Sequence, residues 1–306
     1  MRIKQSSTTS RAEDSRRDID RNIGQNIEIH RLWRHASIAV SAATLLAACL
    51  SVQQRVENEV LDARRHNAAL PLPHVIDETL TIESAYRIQT RIVRRELNGA
   101  QPAGYKAGLT SAPAQARFHA SAPVAGVLMQ EGRRHSGDTL RLSELRGLNI
   151  ETEVALRIGT PIRTRLDNIE ELQRHVDGIA PAIELPNLDY QASGQLNALD
   201  IVATNVAAAA YIFGEFVTPD RRDPNDVRPR LVCNGVEVNA GDARDAMGDQ
   251  WQAALWLVNT LIEQGWAIQA GQVLMTGALG RMVPAQPARC VATYGEWGTI
   301  GFNISP

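Results

Sequence analysis

The chain has 306 residues, of which 44% are hydrophobic and 5% aromatic, enough to bury a sizeable core in one or two domains. Its 32 Lys and Arg against 34 Asp and Glu leave a net charge of −2, so there is no electrostatic footprint for nucleic acid and no such partner is expected. The cysteines at 49, 233 and 290 form no CxxC or Cys/His cluster for zinc, and the dinucleotide, P-loop, GxSxG and HExxH signatures are absent.

Residues 1–35 are polar, rich in Arg and without apolar periodicity, which predicts disorder. From Ala36 to Leu50 the chain reads ASIAVSAATLLAACL, uncharged and following Arg31, Arg34 and His35. Such a run is short for a membrane span but suits the apolar region of a signal peptide. Its end, Leu46-Ala47-Ala48-Cys49, resembles the lipobox of bacterial lipoproteins, with Cys49 as the lipidated residue. Residues 1–48 are therefore expected to be an n-region and signal, with translation starting near Leu32; a short anchor or a buried helix are the alternatives. The remaining chain would sit on the periplasmic face of a bacterial membrane, touching it only through the lipid, or in the cytoplasm if 1–48 is not a signal. An oxidising compartment would allow Cys233 and Cys290 to pair, but sequence gives no separation, and two buried thiols are the expectation.

Residues 49–100 read as a small helical unit and 101–306 as a second domain. A helix start before residue 76 is broken by Pro71 and Pro73. Thr81 is a candidate N-cap, Glu83 an acid in the first turn, and Ile82, Ala85, Tyr86, Ile92, Val93 and Leu97 form a stripe up to Gly99. Gly104–Thr110 is a short extended run, in which Lys106 alone would be a solvated surface charge. Another extended segment, Ser121–Leu128, leads through a polar turn to Leu140, Leu142 and Leu145.

Ile150-Glu151-Thr152-Glu153-Val154-Ala155-Leu156 sets two acids one residue apart in an apolar, β-favouring run. In a strand the two side chains share one face about 7 Å apart. Two readings follow, a solvated strand face or a site where an oxygen-preferring divalent cation separates the charges. Asp167 with Glu170 suggests a capping box for a helix burying Ile169, Leu172, Val176 and Ile179 and ending near Gly178, with His175 on its polar side. The strand Ile179–Leu185 then carries Glu184, which is either at a wet strand end or part of a polar site. Asn234-Gly235 between β-branched arms marks a hairpin, and Asp249 caps a helix lined by Trp251, Ala254, Leu255, Val258, Leu261 and Ile262. Strands are expected at 273–276, 291–294 and 299–304, with a glycine-bearing loop at Gly277 and Gly280. The sum is α+β with mixed or antiparallel strands, lacking the alternation of a doubly wound sheet.

Taken in order, Thr81 through Gln89, Gly104 through Thr110, Ile150 through Leu156, Pro181 through Glu184, Asp200 through Asn205, the Asn234-Gly235 hairpin, Ala254 through Leu257 and Thr276 through Gly280 resemble the 2-keto-4-pentenoate hydratase family of the fumarylacetoacetate hydrolase superfamily. The resemblance implies a rolled mixed β-sheet domain with a small helical N-terminal unit, and Mg²⁺ or Mn²⁺ held by Glu151, Glu153 and Glu184. It also implies a catalytic role for Lys106, substrate contacts at Leu109, Asn205 and Thr276, and the homo-oligomers usual in the family. The implied activity is that of a lyase, a hydratase of small unsaturated 2-oxo acids in aromatic catabolism, working through an enolate at the metal. The chain departs from the family at Val124, where an acid is usual, at Thr204 and Ala207, where an Asp and a Ser are usual, and at Ala288-Arg289, where a Gly-Asp turn is usual. Those losses bring in a lipid-anchored binding protein for 2-oxo acids or dicarboxylates without chemistry, or a 2-oxo acid decarboxylase, as alternatives. Hydrolysis would need a water-activating His, for which His119 is the nearest in sequence.

Overall fold

The computed structural model describes residues 52–306, and Gln54–Pro306 form one compact unit. The expected n-region and signal over 1–48 and the lipidation candidate Cys49 lie outside the described residues.

Helix α1 covers 52–65, and α2 is the single turn Pro73–Ile76, opened by a proline at a position that needs no N–H donor. α3, Ile82–Leu97, begins where Thr81 and Ser84 cap each other and ends on Asn98 in the left-handed region. It buries Ala85, Ile88, Gln89, Ile92 and Val93, while Ile82, in the first turn, is left exposed. Then follow β1 (Gly104–Gly108), α4 (Ala112–Arg117), β2 (Val124–Leu128), β3 (Arg133–Arg134), β4 (Thr139–Arg141) and β5 (Asn149–Ile158). The next helix, α5, is shorter than its spacing predicts, Ile169–His175, and starts one residue later than expected. Asn168, not Asp167, is the cap, because its side chain accepts the Glu171 N–H at 2.9 Å. Val176 and Ile179 belong instead to β6, Val176–Leu185, since pairing with β5 reaches down to Val176. Over so few residues helical and alternating spacings coincide, and the strand partner decides.

The chain continues with α6 (Ala198–Ala203), β7 (Ala210–Phe213), β8 (Arg230–Cys233), β9 (Val236–Ala240), α7 (Gln250–Glu263), β10 (Val273–Met275), β11 (Leu279–Pro284), β12 (Ala288–Thr293) and β13 (Thr299–Ser305). A curled mixed sheet runs β2-β1-β10-β5-β6-β7-β3, with β11 continuing along β5 beyond β10. A smaller sheet runs β4-β13-β12-β8-β9, and its β8–β9 hairpin turns on Asn234 and Gly235, both at positive φ as a tight primed turn requires. The Asp249-capped α7 sets Trp251, Ala254, Leu255, Val258 and Leu261 in one cluster with Tyr105, Val127, Leu156 and Leu274 of the large sheet. A second cluster joins α1, α3 and α6 to Phe118 and Val124.

The expectation of two unpaired thiols is corrected. β8 and β12 pair antiparallel with Cys233 opposite Cys290, which brings their Cα atoms to 4.1 Å, and the two form a disulfide. The strand register, which no cysteine spacing reveals, is what joins them.

Candidate metal centre

Along β5 and β6, Glu151 lies opposite Glu184 and Glu153 opposite Ala182, so strand alternation sends all three carboxylates to one face. Their ligand-capable oxygens lie within 4.8 Å of one another. Ile150 and Val154 bury on the other face, where the Thr152 hydroxyl donates to Leu279 O at 2.8 Å. Glu153 and Glu184 are buried, and Glu151 lines a cavity.

Two strands away on β1, Lys106 is buried at 2% exposure, not the solvated charge its isolation in sequence suggests. Its ammonium donates to Glu184 Oε1 and, at 3.0 Å, to Val206 O. That carbonyl is presented by a turn in which Asn205, Val206 and Ala207 all have positive φ, at 62°, 51° and 54°. A β-branched residue in this region is a costly conformation, held by its surroundings. Val206 packs between Gly108 and Gly126, where a Cβ on either glycine would collide with it.

Between β10 and β11 the chain leaves the β5 ladder beside Glu153. There Gly277, at φ 110°, turns its N–H onto Glu153 Oε2 at 2.9 Å. A Cβ at this position would stand 2.3 Å from Thr110 Oγ1, so the contact requires glycine. Glu153 Oε1 and Glu184 Oε2 have no hydrogen-bond partner. Buried acceptors left without donors are rare and costly. Two of them in an all-carboxylate cluster fit a hard divalent cation such as Mg²⁺ or Mn²⁺ better than a softer metal.

The electrostatics agree with that fit. Burial, and then the Glu184 charge, push Glu151 up to about 8. Burial, followed by Glu184 and Glu151, holds Glu153 well above its usual range. Burial pulls the Lys106 ammonium down, but the carboxylates of Glu184, Glu151 and Glu153 outweigh it and leave it raised.

Glu151 and Lys106 line a cavity of about 500 Å³ with apolar walls that include Leu109, Phe118, Leu188, Ile201, Val206 and Met282. Thr110, Ser111, Arg117, Asp245 and Arg281 add polar groups to the lining. Of the residues that sequence assigns to the substrate, Leu109 lines this cavity. Asn205 directs its amide to the backbone of Val127 on β2, at 2.8 and 2.9 Å, and Thr276 binds Val154 O and the Gln250 side chain. Neither of these two lines the cavity, and His119 is exposed outside its lining. Val124 is buried, the Thr204 hydroxyl donates to Asp200 O at 2.8 Å, and Ala207 lines the cavity wall. The Gly277 N–H and the Val206 carbonyl escape sequence reasoning because they are backbone groups; the glycine in the 277–280 loop is the one signal that pointed there. Arg117 is also missed, on a helix too short to show periodicity.

Residues 91–297 match the Fumarylacetoacetate (FAA) hydrolase C-terminal family. The 2-keto-4-pentenoate hydratase of Paraburkholderia xenovorans (strain LB400) is 28% identical over 210 residues, covering 68% of this chain and 78% of that protein. The 2-oxo-hept-4-ene-1,7-dioate hydratase of Escherichia coli is 29% identical over 229 residues, 72% of this chain and 86% of that one. Among solved structures, the 4-oxalocrotonate decarboxylase from Pseudomonas putida G7, complexed with magnesium and adipate, shares the fold at a TM-score of 0.78 and 23% identity, covering 83% of this chain and 97% of that one.

Proposed function

The chain belongs to the fumarylacetoacetate hydrolase C-terminal family, and from that premise we propose that it is a divalent-metal-dependent lyase of the 2-keto-4-pentenoate hydratase type, acting on small unsaturated 2-oxo acids. The observation that carries this reading is the pair of donorless carboxylate oxygens, on Glu153 and Glu184, in a buried cluster that meets an apolar cavity at Glu151 and Lys106. Glu151, Glu153 and Glu184 would hold Mg²⁺ or Mn²⁺. When bound, the ion supplies Lewis acidity toward the enolate charge that develops beside a 2-oxo carboxylate.

The remaining work falls to the chain's own groups. The Lys106 ammonium, anchored on Glu184 and Val206 O, offsets the substrate carboxylate from a buried position. Gly277 fixes the orientation of Glu153 through its N–H. The apolar walls hold the hydrocarbon chain and exclude water, while the hydroxyls of Thr110 and Ser111 and the Asp245 carboxylate are placed along the cavity for proton handling.

A second reading rests on Val124 and Ala207. One is buried among apolar side chains and the other offers only a methyl to the cavity, so neither moves a proton. That favours a binding protein for 2-oxo acids, or a decarboxylation in which carbon dioxide loss replaces hydration. One experiment separates the readings: the protein is mixed with Mn²⁺ and a 2-hydroxydienoate while enol absorbance and product are followed. Falling absorbance with a hydrated product, abolished in Glu153→Gln, is the expected result. Metal-dependent 2-oxo acid binding without turnover would favour the binding protein, and absence of any metal-dependent binding would sink both.

The proposal extends to the address. Residues 1–48 act as a signal and Cys49 carries the lipid, which places the protein on the periplasmic face with the lipid as its sole membrane contact. The Cys233–Cys290 disulfide supports an oxidising compartment. Mass spectrometry of the mature N-terminal peptide tests this, and a mature chain retaining Met1 would contradict it. The family likeness supports a homo-oligomer, which light scattering measures.

A further inference from the structure

Hydration consumes a water, and the cavity that receives the 2-oxo acid is a poor path for it. Thr110, Ser111 and Asp245 give that cavity polar groups, but they face the same space as the acid, so a water following the acid in would find the way occupied. A second cavity, of about 480 Å³, lies against the turn that presents the Val206 carbonyl to Lys106. Ala207 belongs to both linings; Val206, before it, faces the first cavity, while Asn205 and Ala208 face the second. The two spaces therefore meet beside the carboxylate cluster, because the Val206 carbonyl, adjacent to Ala207, stands 3.0 Å from the Lys106 ammonium.

The second cavity has the chemistry of a water site. Arg64, Asn67, Glu96, Glu131 and Asn187 line it, so donors and acceptors stand around one space. Its Arg64 guanidinium is engaged by Glu96 at 2.5 Å and by the Thr204 carbonyl at 2.8 Å, which disfavours an anionic ligand. The Asn187 N–H donates to the Ala207 carbonyl at 2.9 Å and pins the shared turn from this side. Polar walls with room for several waters, at ~30 Å³ each, are what held water needs. At the partition, Ala207 contributes only a methyl.

We propose that the second cavity stores the water of the hydration step and passes it beside Ala207 to the acid bound near Lys106. This deepens the hydratase reading above and rests on it. By that step the substrate is a 2-oxo acid with a double bond next to the keto group. The water oxygen bonds to the far carbon of that double bond, the near carbon takes up a proton as the water loses one, and the double bond becomes single, so the whole water is incorporated. Ala68 and Ala208 line the second cavity and not the first, so Ala68→Phe and Ala208→Phe, singly and together, fill it without replacing a group that faces the acid. The full protein is given Mn²⁺ and a 2-hydroxydienoate, enol absorbance is followed, and hydrated and unhydrated products are separated by mass. The double variant is expected to consume enol at the wild-type rate and to bind oxalate with wild-type affinity. Its hydrated product should form about tenfold more slowly, the scale of a misplaced reactant, while the unhydrated 2-oxo acid accumulates. Hydration at the wild-type rate would overturn the proposal and leave the hydratase reading standing. A parallel fall in enol consumption and hydration would also overturn it, since that marks a disturbed turn and not an emptied store. If the double variant does not fold, the single variants decide by the same ratio of products. A wild type that forms no hydrated product would overturn the hydratase reading and this proposal together.

Discussion

Glu153 has one oxygen on the Gly277 N–H and the other without a donor, and its neighbour Glu151 is pushed up to about 8 by burial and by Glu184. Both therefore bind protons in the folded chain at pH values where the unfolded chain has released them. With divalent cations chelated, folding stability should fall as pH rises from about 4.5, the ordinary Glu value, to about 8, because the folded state binds the extra protons. A divalent cation favours the ionised carboxylates, so its stabilising effect should grow across the same window. Melting temperatures in EDTA and in Mn²⁺ check both signs; a gap between the two curves that does not widen with pH would contradict the account. At this scale strand alternation made the shared face of Glu151 and Glu153 legible, while Glu184 was joined to them only by the family resemblance, because the β5–β6 register that sets it opposite Glu151 is not written in the sequence. Lys106 alone looked like a surface charge, because its burial depends on β10, which flanks β1 from far along the chain, and on its partner Glu184 on β6.

The interruption between β10 and β11 is the element that gives Glu153 its donor. Gly277→Ala would set a Cβ at φ 110° and 2.3 Å from Thr110 Oγ1. The backbone must then move, at a cost of about 2–4 kcal/mol in stability. Because the N–H moves with it, Mn²⁺ affinity should fall by roughly 10- to 100-fold, as it does when a ligand loses its orienting partner. Chemical denaturation and metal titration measure the two losses, and a variant that loses stability but keeps its metal affinity would show that the N–H does not orient Glu153. Elements with a local signature were readable in advance, such as the Thr81 and Asp249 caps and the Asn234-Gly235 turn. The α5 to β6 boundary was not, since Val176 and Ile179 fit a helix stripe and a strand face equally well. The left-handed run at Asn205–Ala207 was hidden too, because no residue in it is glycine and its shape is imposed by Gly108, Gly126 and Lys106 around it.

Across the whole molecule, the large curled sheet carries the carboxylates and the small sheet closes on a covalent tie. The Cys233–Cys290 bridge spans a sequence separation of 57 residues. Loop-closure entropy for a span of that size is worth about 4 kcal/mol. Reduction, or Cys233→Ser with Cys290→Ser, should lower the melting temperature by roughly 10 °C, and a shift of only a degree would mean that the pairing of β8 with β12 already suffices. The fold class was visible in the order of its motifs, whereas the tie depended on a strand register that only the folded sheets reveal. Lys106 has a consequence of another kind. It brings one positive charge into a cluster of three carboxylates as part of the chain, so a share of the counter-charge arrives with the polypeptide, unlike small domains that stay unfolded until an ion reaches them. The chelated chain should therefore still fold, only less stably, and the ion then tunes a structure that already exists.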